Sequence, residues 1–172
     1  MITLLVTHSL AASSIHVGAG WSATQYPFLF DGMPIRHGLM VLATVRNGAL
    51  DAGTSFTLVA PAAAEPSFAL EASLRLDLVA PTPRWRPATG LELGMSTRST
   101  SEVLEEQRPP GSYFADLGTP DPLWLDFTVT PARFAFGDYE LSAARIGVGV
   151  SLLHPGQAGR WRAELVSVTR SF

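Results

Sequence analysis

The sequence predicts an all-β fold, a single jelly-roll sandwich or barrel of about eight strands with at most one short helix, and three observations carry that reading. The first is the stretch Ser67 to Val79, SFALEASLRLDLV, in which Phe68, Leu70, Ala72, Leu74, Leu76 and Leu78 alternate with Ser67, Ala69, Glu71, Ser73, Arg75 and Asp77. Successive strand side chains point to opposite faces, so period two makes this a long strand with one apolar and one wet wall. Its five large apolar side chains contribute roughly 7 to 15 kcal/mol if buried, so a second sheet is expected over that wall. The second observation is eight to ten such segments separated by turn residues, a spacing typical of sandwiches and barrels. The third is size: 172 residues suit one domain spanning the whole chain, residues 1–172.

In chain order, Ile2–His8 and Ser14–Val17 read as strands, as does Tyr26–Phe30 before the turn residues Asp31, Gly32 and Pro34. Leu39–Val45 is a nearly continuous apolar run and reads as a strand buried on both faces. Asn47-Gly48 favours a tight type I′ hairpin turn, with a longer loop at Asp51–Gly53 as the rival. Thr54–Ala60 follows as a strand, and Pro61–Pro66 as a linker. The prolines of Pro81–Gly90 break the ladder before Leu91–Met95. From Ser96 to Pro122 there is little strand pattern, and this long loop is the main excursion from the fold. Ser99 and Glu102 have capping-box spacing for one short helix within it. Leu123–Thr130, Phe134–Phe136 and Tyr139–Leu153 return to strand. In Arg160–Arg170 the apolar phase slips after Leu165, which predicts a bulge there or a strand covered on both sides.

Composition excludes several chemistries. Cysteine and lysine are absent, which removes disulfides, thiolate metal sites, cysteine nucleophiles and Schiff bases. Twelve arginines without lysine point to a GC-rich genome, and the scarcity of Asn and Gln to a thermophilic host. A net charge of -3 argues against a nucleic-acid surface. The N-terminus lacks the basic leading segment of a signal peptide, and no apolar run reaches the length of a membrane-spanning helix. Yet 47% hydrophobic residues and a positive mean hydropathy exceed what a small soluble monomer needs, implying apolar surface covered by neighbours.

No catalytic or metal motif emerges, and neither enzyme activity nor a cofactor is expected. His8, His16, His37 and His154 lack ligand spacing, Gly94-Met95-Ser96 is not a nucleophile elbow, and Glu105-Glu106 point apart. The candidate interface residues are two repeated triplets and an aromatic pair. Arg84-Trp85-Arg86 and Arg160-Trp161-Arg162 put Trp on one side of an extended segment and both arginines on the other. Each triplet either offers a cationic face to phosphates or lipid headgroups, or anchors Trp in the core under solvated arginines. Tyr113-Phe114, in the long loop, is either an interface anchor or a satellite cluster.

In length, strand-rich pattern, missing cysteine and arginine-only composition the chain resembles the small single-jelly-roll major capsid proteins of icosahedral, internal-membrane phages that infect Thermus. That resemblance implies a structural virion protein in a capsid shell, self-associating as a dimer or higher assembly. It further implies packing with a second capsid protein and contact with viral membrane lipid, with neither nucleic acid nor a small-molecule substrate bound directly. The alternative expectation is a carbohydrate-binding β-sandwich, a lectin or phage fibre domain, with Trp85, Tyr113 and Trp124 as its aromatic platform.

Overall fold

A computed structural model describes residues 13–25, 35–60, 68–97, 123–153 and 159–172. The expected strands at 2–8 and 26–30, the linker at 61–66, nearly all of the 96–122 loop with its capping box, and Tyr113-Phe114 lie outside them. The described residues are all β: β1 (Ser14–Gln25), β2 (Arg36–Asn47), β3 (Leu50–Val59), β4 (Ala69–Val79), β5 (Ala88–Ser96), β6 (Leu123–Thr130), β7 (Ala132–Phe136), β8 (Tyr139–Ser151) and β9 (Gly159–Ser171).

These strands do not form a jelly roll. Antiparallel pairing runs from β1 in sequence to β6, then from β6 to β8, from β8 to β9 and from β9 back to β1, which closes an eight-strand meander barrel; β7 is an extra strand paired with β8 alone. Period-two alternation is common to both folds; what separates them is which strands pair, and the sequence pattern is silent on pairing. Following register partners from Ser14 through Arg46, Asp51, Asp77, Gly90, Thr128, Gly147 and Arg162 leads back to β1 at Thr24, ten residues above the start. With standard strand spacings that stagger gives a tilt of about 40° and a backbone radius of about 8 Å.

Local chemistry sets the details. Asn47 pairs with Leu50 and Phe136 with Tyr139, leaving Gly48-Ala49 and Gly137-Asp138 as two-residue turns. Gly48 and Gly137 have φ of 62° and 60°, while Ala49 and Asp138 keep negative φ. Glycine alone at the first centre is the type II′ arrangement rather than the expected I′. The bulge expected near Leu165 is present: Val166 opposes Trp21 and Glu164 opposes Ser22, so Leu165 is the extra residue. It resets the phase so that Ala163, Val166 and Val168 all face away from the lumen. Pro131, with no N–H to donate, separates β6 from β7, and the segment at 84–86 covers the outer edge of β7 through Arg86 N to Arg133 O and Ala135 N to Arg84 O.

The faces are inverted relative to the sandwich expectation. Leu70, Leu74, Leu76 and Leu78 lie on the outside of β4, with Leu74 63% exposed, while Glu71, Ser73, Arg75 and Asp77 are buried in the lumen. Among the described residues no second sheet covers the leucine wall. β2 is likewise not buried on both faces: Leu39, Val41 and Val45 face out, and Met40, Leu42 and Arg46 face in.

Candidate functional site: an apolar outer wall around a charged lumen

The outward positions of the strands form one continuous apolar surface. Ile15, Val17 and Trp21 on β1, Phe56 and Leu58 on β3, Leu91 and Met95 on β5, Phe127 on β6 and Ile146, Val148 and Val150 on β8 are all exposed. Among the described residues only Arg84, Arg86, Asp138 and Arg170 carry charge without being buried. All four sit at the end that holds the turns at 48–49 and 137–138 and the start of β1; Arg170 is the one projecting outward from a strand. Connections at that end are short apart from 80–87, whereas those at the other end run over 26–35, 60–68, 97–122 and 152–158.

Inside, polarity is reversed. Arg36, Arg46, Arg75, Arg133, Arg145, Arg160 and Arg162 face Asp51, Glu71, Asp77, Glu92, Asp126, Glu140 and Glu164, seven of each sign, all buried. Near the short-turn end Arg46 donates to Asp51 at 2.9 Å and to Glu140 at 2.9 and 3.0 Å. Arg133 bridges the same two carboxylates, which closes a four-membered ring of charges across the lumen. In the middle, Glu92 is the hub, accepting from Arg162 at 2.8 Å and facing Arg75 and Arg145 at 3.4 Å each. Arg75 reaches from β4 to Glu164 on the diametrically opposite β9 at 3.0 Å, and Arg145 joins Asp77 at 2.5 Å. At the far end Arg160 Nε donates to both oxygens of Asp126 at 2.9 and 3.0 Å and stacks over Trp124 at 5.4 Å.

Glycines make room for this charge in so narrow a tube. Gly149 directly opposes Asp126 and Gly90 opposes Asp77, and a Cβ at either glycine would overlap the carboxylate oxygen across from it. The cavities left among these side chains measure only about 10 and 30 Å³, room for one or two waters. The lumen is therefore a plug of paired charge and not an open pore.

A larger cavity of about 560 Å³ opens at the short-turn mouth, lined by Ser14, His16, Arg46, Arg86, Tyr139 and Glu140 among others. Ser14 Oγ lies 2.9 Å from His16 Nε2, the spacing of a nucleophile and its base. His16 Nδ1, however, is buried without a hydrogen-bond partner, so no carboxylate orients the ring and the pair lacks the third member of a triad. No cluster of three or more His, Asp or Glu among the described residues is arranged to hold a metal ion.

The two arginine triplets do not converge. Arg84 and Trp85 are exposed at the short-turn end, where Trp85 Nε1 donates to Pro131 O at 2.7 Å and Arg86 lies 3.4 Å from Glu140. Arg160 and Arg162 begin β9 at the opposite end and are buried in the lumen, while Trp161 points out and donates to Gln25 Oε1 at 2.5 Å. In that triplet the arginines, not the tryptophan, go inside. Sequence reasoning does not single out Glu92, Arg75, Arg145, Glu140 or Arg46. Their signal is present all the same, as charges of both signs at alternate positions opposite unbroken apolar ones.

A solved structure shares this architecture. The crystal structure of Neisserial surface protein A (NspA) aligns with 94% of this chain and 100% of its own, at a TM-score of 0.55 and 18% identity. The fold is similar to that of NspA. At that identity the likeness is one of fold alone. No family model matches the chain, and no curated protein matches it.

Proposed function

We propose that this chain is a transmembrane β-barrel of the outer-membrane type, closed to ion flow, which holds its longer connections at the cell surface. The single observation that carries this reading is the apolar outer wall, on which the described strands project one charged side chain, Arg170, and that at the rim. In water the apolar side chains would gain nothing from folding, whereas in a hydrocarbon layer the same wall is the favourable one, and a closed barrel leaves no unpaired strand edge. The strands, 8 to 13 residues long apart from β7, match the roughly 9 to 11 tilted residues needed to cross a bilayer. Barrels of this class have short turns on the periplasmic side and longer loops outside, so the end carrying 26–35, 60–68, 97–122 and 152–158 is assigned to the surface.

The capsid-subunit expectation relied on a jelly roll, which this chain lacks, and would need protein neighbours over the whole outer wall. The carbohydrate platform loses Trp124, which is buried in the lumen at 1% exposure. The test is refolding from urea into phosphatidylcholine vesicles. Insertion is expected to give a compact, heat-modifiable band on unheated gels, protease-resistant strands and no conductance steps in planar bilayers. A soluble, vesicle-independent assembly would overturn the reading, and steady conductance would overturn the closed lumen.

A further inference from the structure

We propose that Arg170, clasped between Tyr139 and Phe172 on the outer wall, binds the phosphate of an anionic phospholipid in the leaflet at the short-turn end; this rests on the membrane reading above. Among the described residues Arg170 is the one charged side chain that projects outward from a strand. It belongs to a row of outward side chains that runs across four strands, Phe136, Tyr139, Arg170 and Val17, each directly opposite the next in the sheet register. Its guanidinium carbon lies 5.8 Å from the Tyr139 ring and 5.2 Å from the Phe172 ring, and no carboxylate of the described residues lies within ion-pair reach. Contact with aromatic rings makes no ion pair, so the guanidinium N–H groups remain for the oxygens of a phosphate, which they match in a bidentate fork. Two rings also restrict the side chain's swing, so less freedom is lost when the phosphate docks.

Position selects the ligand. An arginine in mid-bilayer costs several times more than one near the interface, where headgroup phosphates lie. Arg170 is one residue from the end of β9, at the level where lipid phosphate replaces hydrocarbon. Arg84, exposed beside Trp85 on the same rim, adds positive charge at that level, so the leaflet facing this end is expected to be enriched in anionic rather than zwitterionic headgroups.

The experiment begins with the full chain inserted in pure phosphatidylcholine vesicles, scored by heat-modifiable migration. The same protein is then placed in nanodiscs of equal phosphatidylcholine and phosphatidylglycerol, and the lipids retained are counted by native mass spectrometry. Wild type is expected to retain phosphatidylglycerol about fivefold over phosphatidylcholine, as one interfacial arginine implies. R170Q should remove most of that preference with the heat-modifiable band intact, leaving only the weaker pull of Arg84, and about 1 M salt should bring wild type close to one. Normal insertion with no preference, or a preference undiminished by R170Q, would overturn the lipid site and leave the barrel reading standing. Failure to insert into phosphatidylcholine would sink both.

Discussion

Replacing Glu92 by Gln tests whether the lumen is held by charge balance. Glu92 is 2% exposed and meets three guanidiniums, Arg162 at 2.8 Å and Arg75 and Arg145 at 3.4 Å. At an effective dielectric of about 20, each such contact corresponds to roughly 4 kcal/mol of attraction, largely offset by the desolvation of both groups. Removing the carboxylate cancels the attraction while the arginines stay buried, leaving seven buried cations against six anions. Breaking a buried ionic cluster in this way costs about 3 to 5 kcal/mol. The assay is reversible urea unfolding of the vesicle-inserted protein, followed by tryptophan fluorescence. Glu92→Gln is expected to lower stability by that amount, and adding Arg162→Gln to restore about 1 to 3 kcal/mol, a coupling typical of groups in contact. A loss under about 0.5 kcal/mol, or strict additivity of the two substitutions, would refute the idea that the hub is a balanced cluster.

Other consequences follow from the same geometry. Leu74, midway along β4 and paired with Thr54 and Leu93, should cost about 2 to 4 kcal/mol when replaced by Arg, whereas Leu78→Arg, beside the short turn, should cost about 0 to 1; equal penalties at the two sites in vesicle unfolding would contradict a lipid boundary. Gly149→Val would drive a side chain into the Asp126 carboxylate and loosen its pairing with Arg160. A destabilisation of about 1 to 3 kcal/mol is expected, read as a lower urea midpoint, and an unchanged midpoint would show that the lumen has slack at that level.

The strand content is legible in the sequence because period two survives any sheet arrangement: β4, β6 and β9 are readable from Leu70 to Leu78, Leu123 to Val129 and Trp161 to Val168. Even the Leu165 bulge is visible, since an apolar phase that slips inside a strand requires either an extra residue or a cover on both faces. Inside and outside are not legible. A strand with leucines on one face and Glu71, Arg75 and Asp77 on the other looks identical whether its charges meet water or a barrel lumen. The distinguishing facts are global, namely that the charges of β4 find partners on β5, β8 and β9, and that Gly90, Gly147 and Gly149 fall on the charged face where a narrow tube needs space. The hydrophobic excess marks surface that needs a cover, and composition is the same whether that cover is protein or lipid. In the Arg160-Trp161-Arg162 triplet the sequence shows only that Trp and Arg face opposite ways, and burial of the arginines requires the carboxylates of Asp126 and Glu92 across the lumen.

The absence of cysteine makes a direct test of the lipid-facing wall simple, because single cysteines can be placed along β4 from Ala69 to Val79 and spin-labelled without background. In vesicles, labels at Leu70, Leu74, Leu76 and Leu78 are expected to collide preferentially with oxygen dissolved in the hydrocarbon, with a maximum near Leu74. Labels at Ser73 and Asp77 should show little access to oxygen or to a water-soluble nickel reagent. Water-dominated collisions at the leucine positions, or loss of the period-two alternation, would contradict the placement of this wall in a membrane.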